Sequence, residues 1–98
     1  MTPLNPDQLA AALATLPAWT CTSDALTRTF TLTNFTEALA FMNDAAPEIE
    51  RLNHHPEWTN VYNRVTVCLT THDAGDRVTA ADVELAKTLD WVALRFLP

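Results

Sequence analysis

Leu26-Thr27-Arg28-Thr29-Phe30-Thr31-Leu32-Thr33 carries four threonines on one parity and Leu26, Arg28, Phe30 and Leu32 on the other. A period of two with a β-branched residue at every second position predicts a half-buried strand. Ser23-Asp24 just before it supplies a turn, and residues 19–21 can form a short strand on the far side of that turn. The same pattern returns later. Val65, Val67 and Leu69 alternate with Arg64, Thr66, Cys68 and Thr70, and residues 58–62 precede them as another strand. A tight turn near Asn63 would join these two, so the chain holds two hairpins.

Helical signals occupy the rest. Asn5-Pro6 reads as an N-cap followed by proline at the first helical position, with Leu9, Leu13 and Leu16 as a short stripe that ends at Pro17. Asn34 and Glu37 have capping-box spacing, and Phe35, Leu39, Met42, Ala46, Ile49 and Leu52 follow at helical intervals. Pro47 falls inside that helix, removes a backbone donor and predicts a kink or restart near Ala46. Residues 73–76 read as a loop. Thr79 and Asp82 cap a last helix that is expected to reach about Phe96. The order is helix, strand, strand, helix, strand, strand, helix. Two hairpins joined by a helix predict an α+β, two-layer sandwich: a four-stranded antiparallel sheet with three helices on one face.

A chain of 98 residues suits a single domain spanning 1–98. Its 48% hydrophobic and 18% charged content is that of an ordered domain. At this size roughly 60–65% of the unfolded surface is buried, and self-association is one way to cover the remainder. The formal charge is −6, and the six basic residues (Arg28, Arg51, Arg64, Arg77, Lys87, Arg95) are scattered. That argues against direct nucleic-acid binding, which needs a basic patch. No apolar run is long enough to span a membrane and no basic-then-apolar leader opens the chain, so a cytoplasmic protein is expected. Cys21 and Cys68 form no CxxC pair and read as reduced, buried thiols, with a single disulfide as the alternative. The one glycine, Gly75, excludes a glycine-rich phosphate loop.

The chemistry-bearing segment is Glu50-Arg51-Leu52-Asn53-His54-His55-Pro56-Glu57-Trp58. Two of the three histidines stand side by side here. Glu50 and His54 are four apart, which on a helix would stack carboxylate against imidazole. Pro56 steers His55 into extended geometry. His72 lies on the polar parity of its strand with Cys68 and Thr70, and the hairpin should return it to the neighbourhood of Trp58, His54 and His55. Imidazoles titrate near neutral pH and can both donate and accept protons there. Trp58 and Tyr62 offer flat surfaces for a planar ligand. Asp82 reads mainly as a first-turn capping residue. Adjacent histidines chelate poorly and the HxH and HxxxH spacings are missing, so no metal site is expected.

These residues resemble the pterin-4a-carbinolamine dehydratases. The matching positions are Glu50, His54-His55-Pro56, Trp58, Asn60-Val61-Tyr62-Asn63, Arg64, the alternating 65–69 run, Thr71-His72 and Asp82. Phe41-Met42, Trp19 and Phe30-Thr31-Leu32 also fit, so the resemblance covers nearly the whole chain. It implies the helix-over-sheet fold and a hydro-lyase that dehydrates 4a-hydroxytetrahydropterin to quinonoid dihydropterin plus water. Such an enzyme recycles pterin for aromatic amino acid hydroxylases and consumes no cofactor. It implies His54, His55 and His72 as the catalytic histidines, Glu50 as the carboxylate that supports them, and Trp58 and Asp82 as residues that line or brace the pterin site. The sequence departs from the family at Pro47, and the 72–82 loop can differ in length.

The resemblance also implies alternatives. Some relatives act as dimerisation cofactors for a transcription factor through the helical surface, and a molybdopterin-related role is compatible with the same scaffold. A homodimer or homotetramer is expected, with functional coupling to a hydroxylase. The last helix carries Val83, Leu85, Leu89, Trp91, Val92 and Leu94 on more than one side, which favours a helix-mediated contact.

Overall fold

The computed structural model describes all residues, Met1–Pro98. The elements are α1 (Pro6–Ala14), β1 (Thr20–Thr22), β2 (Ala25–Thr31), α2 (Phe35–Leu52), β3 (Glu57–Val61), β4 (Arg64–Leu69), a 3₁₀ turn at His72–Ala74, and α3 (Ala80–Ala93). The expected order is present. The four strands form one antiparallel sheet in the order β1-β2-β4-β3, so β2 and β4 are central and β1 and β3 are edges.

Register follows the alternation. Leu26 pairs with Leu69, Arg28 with Val67 and Phe30 with Val65. These side chains share the face that the helices cover. Thr27, Thr29 and Thr66 share the open face, where the hydroxyls of Thr29 and Thr66 meet at 3.2 Å and those of Thr20 and Thr27 at 3.0 Å. Phe30 and Phe41 pack with ring centroids 4.8 Å apart at the centre of an apolar cluster of 18 buried residues. Leu85, Leu89 and Val92 of α3 complete it. Arg28 is the polar exception in its row. Its guanidinium lies 4.1 Å over the Phe30 ring and donates to Asp90 at 2.6 Å, and the Trp19 indole N–H donates to the same carboxylate at 2.8 Å. One carboxylate on α3 thus ties that helix to the first hairpin.

Caps explain the helix limits. Asn5 and Gln8 form a full capping box at α1, and so do Thr79 and Asp82 at α3. At α2 the Asn34 side chain accepts from the Glu37 N–H. Of the kink or restart expected near Ala46, the restart does not occur: α2 runs through Pro47 as one helix. Asn43, whose carbonyl loses its partner, and Pro47 are both exposed, so water can serve the orphaned group. The last helix is shorter than expected. α3 ends at Ala93, and Phe96 returns to the core through a turn, its amide bonded to the Ala93 carbonyl at 2.9 Å. The turn between β3 and β4 places Tyr62 at φ 53°, and the Asn60 amide braces it by donating to the carbonyls of Tyr62 and Arg64.

Candidate active site

The exit from α2, the start of β3 and the end of β4 meet at one end of the sheet, because Glu57 pairs with Cys68. The N-terminus of α3 arrives at the same place. Asn53 decides the local geometry. It caps α2 in the left-handed region (φ 51°, ψ 41°), so the helix stops at Leu52 and His54 already lies outside it. The i,i+4 stacking of Glu50 on His54 needs a continuous helix, and the αL residue removes it.

The partners are therefore exchanged relative to expectation. His54 Nε2 lies 2.6 Å from Asp82 Oδ1, and His55 Nε2 lies 2.6 Å from Glu50 Oε1. His72 sits in the 3₁₀ turn, beyond the end of β4, with Nδ1 3.1 Å from Asp76 Oδ1. Each histidine has its own carboxylate. The three pairs differ in environment. Asp82 has no exposed side-chain surface and His54 retains 16%, whereas Glu50 is 74% exposed and His72 is 93% exposed.

Asp82 does more than cap α3. Its Oδ2 accepts from the Thr79 N–H at 2.8 Å and from the Thr71 hydroxyl at 2.8 Å, while Oδ1 faces His54. The capping expectation is met, and the same buried carboxylate also holds a histidine. Thr71 is the residue that sequence reasoning passed over. It appeared only as the neighbour of His72. Its signal was parity: it lies one position before the exposed His72, where a side chain turns inward.

Asn53, His54, His55, Thr70, Thr71, His72 and Asp73 line one cleft of about 270 Å³, with no hydrophobic residue among them. The structure thus brings all three histidines to one opening. Glu50 and Asp82 stand behind two of them. Trp58 does not line this cleft: it is half-buried on the helix-facing side of β3 and packs against the core. Tyr62 is exposed at the far end of that strand. Both cysteines are free. Burial raises the Cys68 thiol above its ordinary value, with Glu57 and then Asp82 adding to the effect; burial and then Asp24 raise Cys21.

Comparison with known proteins places this geometry in a family. The model described as pterin 4 alpha carbinolamine dehydratase matches residues 2–92. A protein of Opitutus terrae, provisionally named a pterin-4-alpha-carbinolamine dehydratase, is 50% identical over 90 residues, covering 92% of this chain and 93% of its own. A protein of Afipia carboxidovorans with the same provisional name is 50% identical over 95 residues, covering 95% and 94%. The crystal structure of a transcriptional coactivator/pterin dehydratase from Brucella melitensis superposes with a TM-score of 0.88 at 38% identity, covering 94% of this chain and 99% of that one. With a family match across nearly its whole length and relatives at half identity, the chain belongs to the pterin 4 alpha carbinolamine dehydratase family.

Proposed function

We propose that the protein dehydrates 4a-hydroxytetrahydropterin to quinonoid dihydropterin plus water, acting as a single 98-residue domain without a cofactor. The observation that carries the reading is the convergence of His54, His55 and His72 on one polar cleft, in a chain that has no other histidine. The reaction breaks the C4a–O bond, releases the hydroxyl as water and takes the proton from N5 as the C4a–N5 double bond forms. It needs one group that gives a proton and one that takes one. Imidazoles suit both roles near neutral pH. His54, held by Asp82 rather than by Glu50, and His72, on its turn, exchange the two protons. His55, held by Glu50, hydrogen-bonds the pterin. Asp82 acts from behind, and Trp58 braces β3, the strand that starts beside the cleft. A cytoplasmic setting, beside an aromatic amino acid hydroxylase that forms the carbinolamine, agrees with this chemistry. No helix is long and apolar enough to cross a membrane.

The test is direct. Carbinolamine generated by an aromatic amino acid hydroxylase should decay faster, by ultraviolet absorbance, when this protein is added. An unchanged decay would refute the proposal.

A second reading has its own observation. Phe35, Leu39, Trp91 and Leu94 are large apolar residues exposed on α2 and at the C-terminal end of α3. They favour a protein contact on the helical layer, through which the chain forms a homodimer or homotetramer or serves as an interaction protein.

A further inference from the structure

Only three polar side chains in the chain are buried: Thr71, Thr79 and Asp82. All three belong to one hydrogen-bonded unit, and that unit ends on His54. No buried side-chain polar atom lacks a partner. A small core that admits so few polar groups, and spends all of them behind one imidazole, directs attention to what they do there.

The proton positions follow from counting donors. The Thr79 backbone N–H can only donate, and it points at Asp82 Oδ2. The Thr71 hydroxyl also gives its single proton to Oδ2, at 2.8 Å. Thr71 therefore has no proton left for Thr79, and across the 2.7 Å contact between the two hydroxyls Thr79 must donate to Thr71. The alternative acceptor for Thr79 is the Met1 sulfur at 3.8 Å, which is both more distant and weaker. The Ala81 N–H in turn donates to the Thr79 oxygen at 3.2 Å. Every proton in the chain of hydroxyls thus points toward Asp82. A carboxylate is the acceptor-only form that such an arrangement suits, so the remaining bond at Oδ1 takes its hydrogen from His54 Nε2.

We propose that Thr71, with Thr79 behind it, is a positioning residue that fixes His54 as the Nε2–H tautomer and leaves Nδ1 as the nitrogen that exchanges a proton with the substrate. The assignment of a reacting nitrogen rests on the dehydratase reading; the tautomer does not. The other charged or titratable groups facing this unit are His55 with Glu50 at the exit of α2, His72 and Asp73 on the turn after β4, and Cys68 near the end of β4, whose thiol the Asp82 carboxylate helps to raise. None of them bonds to Asp82. The three acceptor bonds of Asp82 come from His54, Thr71 and Thr79 alone.

The experiment is nitrogen NMR of histidine-labelled protein without substrate, at a pH where the imidazole is neutral. His54 should give a pyrrole-type Nε2, with a slowly exchanging downfield proton, and a pyridine-type Nδ1. The opposite tautomer, or an even mixture, in the wild-type protein overturns the proposal with no variant needed. Thr71→Val keeps the shape and removes the donor. It should blur the two nitrogen signals toward a mixture and lower kcat roughly tenfold, with KM changed less than about twofold, the scale of one lost hydrogen bond to a charged group. Thr71→Ser should restore both the spectrum and kcat. Should Thr71→Val not fold, Thr71→Ala supplies the same comparison. Wild-type spectra in a folded hydroxyl-less variant would overturn the role of Thr71. A correct tautomer in a protein that does not accelerate carbinolamine decay would refute the dehydratase reading and leave the tautomer assignment standing.

Discussion

Asp82 and Glu50 each hold a histidine at the same distance, yet their substitution should have different consequences. Asp82 is fully buried, closes the α3 capping box and accepts three hydrogen bonds. Glu50 is mostly exposed, and so is its one partner, His55. Asp82→Asn should therefore lower turnover far more than Glu50→Gln, and should also lower the melting temperature, which Glu50→Gln should not. His54→Ala and His72→Ala should each reduce dehydration by about 10²–10⁴-fold with folding retained, as expected for loss of a positioned acid–base group; stopped-flow decay of the carbinolamine and circular dichroism check both halves. The thiols give a pH prediction. Burial, Glu57 and Asp82 all raise Cys68, so its thiolate is scarce at neutral pH. Alkylation should lag behind that of a free thiol at pH 8 and catch up only above the ordinary thiol range. Glu57→Gln removes a negative charge and should accelerate it, as mass spectrometry of the labelled peptide would read.

At the scale of elements, Asn53 is the hinge of the site. A non-glycine residue in the left-handed region costs about 1–2 kcal/mol, less for asparagine than for other side chains. Asn53→Ala should destabilise the protein by about 1 kcal/mol and disturb the His54–Asp82 bond, while Asn53→Gly should be tolerated in urea unfolding. The same residue explains what could be read in advance. Strand and helix identities were legible because apolar spacing is a local property: the 26–33 alternation became β2 up to Thr31 with its face assignment intact, and the Asn5, Asn34 and Thr79 caps sit where spacing placed them. The meeting of the three histidines was legible too, since it follows from pairing the two strands of the second hairpin, β3 and β4. Which carboxylate serves which histidine was not. That depends on one backbone angle at Asn53 and on a contact spanning 28 residues between His54 and Asp82. That α2 continues through Pro47 without a restart was hidden for a related reason. The cost of the proline depends on whether the freed carbonyl is wet, which periodicity does not reveal.

For the whole molecule, the question is how the exposed apolar surface coexists with a charge of −6. Trp91 and Leu94 are both 69% exposed, too much to be read as the edge of the core. They lie nine and twelve positions beyond Asp82, about 14–18 Å along a helix at 1.5 Å per residue, so a contact built on them leaves the histidine cleft clear. Self-association would bring like-charged copies together, and screening by salt should strengthen it, with the Debye length falling to about 10 Å at 0.1 M. Light scattering at micromolar concentration should give a mass above the 10.9 kDa of one chain, rising with sodium chloride across the tens-of-millimolar range. Trp91→Glu combined with Leu94→Glu should return the protein to smaller species, because each buries a charge at the contact. Turnover per chain should stay the same, since neither residue approaches His54, His55 or His72. A mass of one chain at every salt concentration would exclude this surface as a self-contact. Loss of activity together with assembly would mean that a neighbouring copy completes the site.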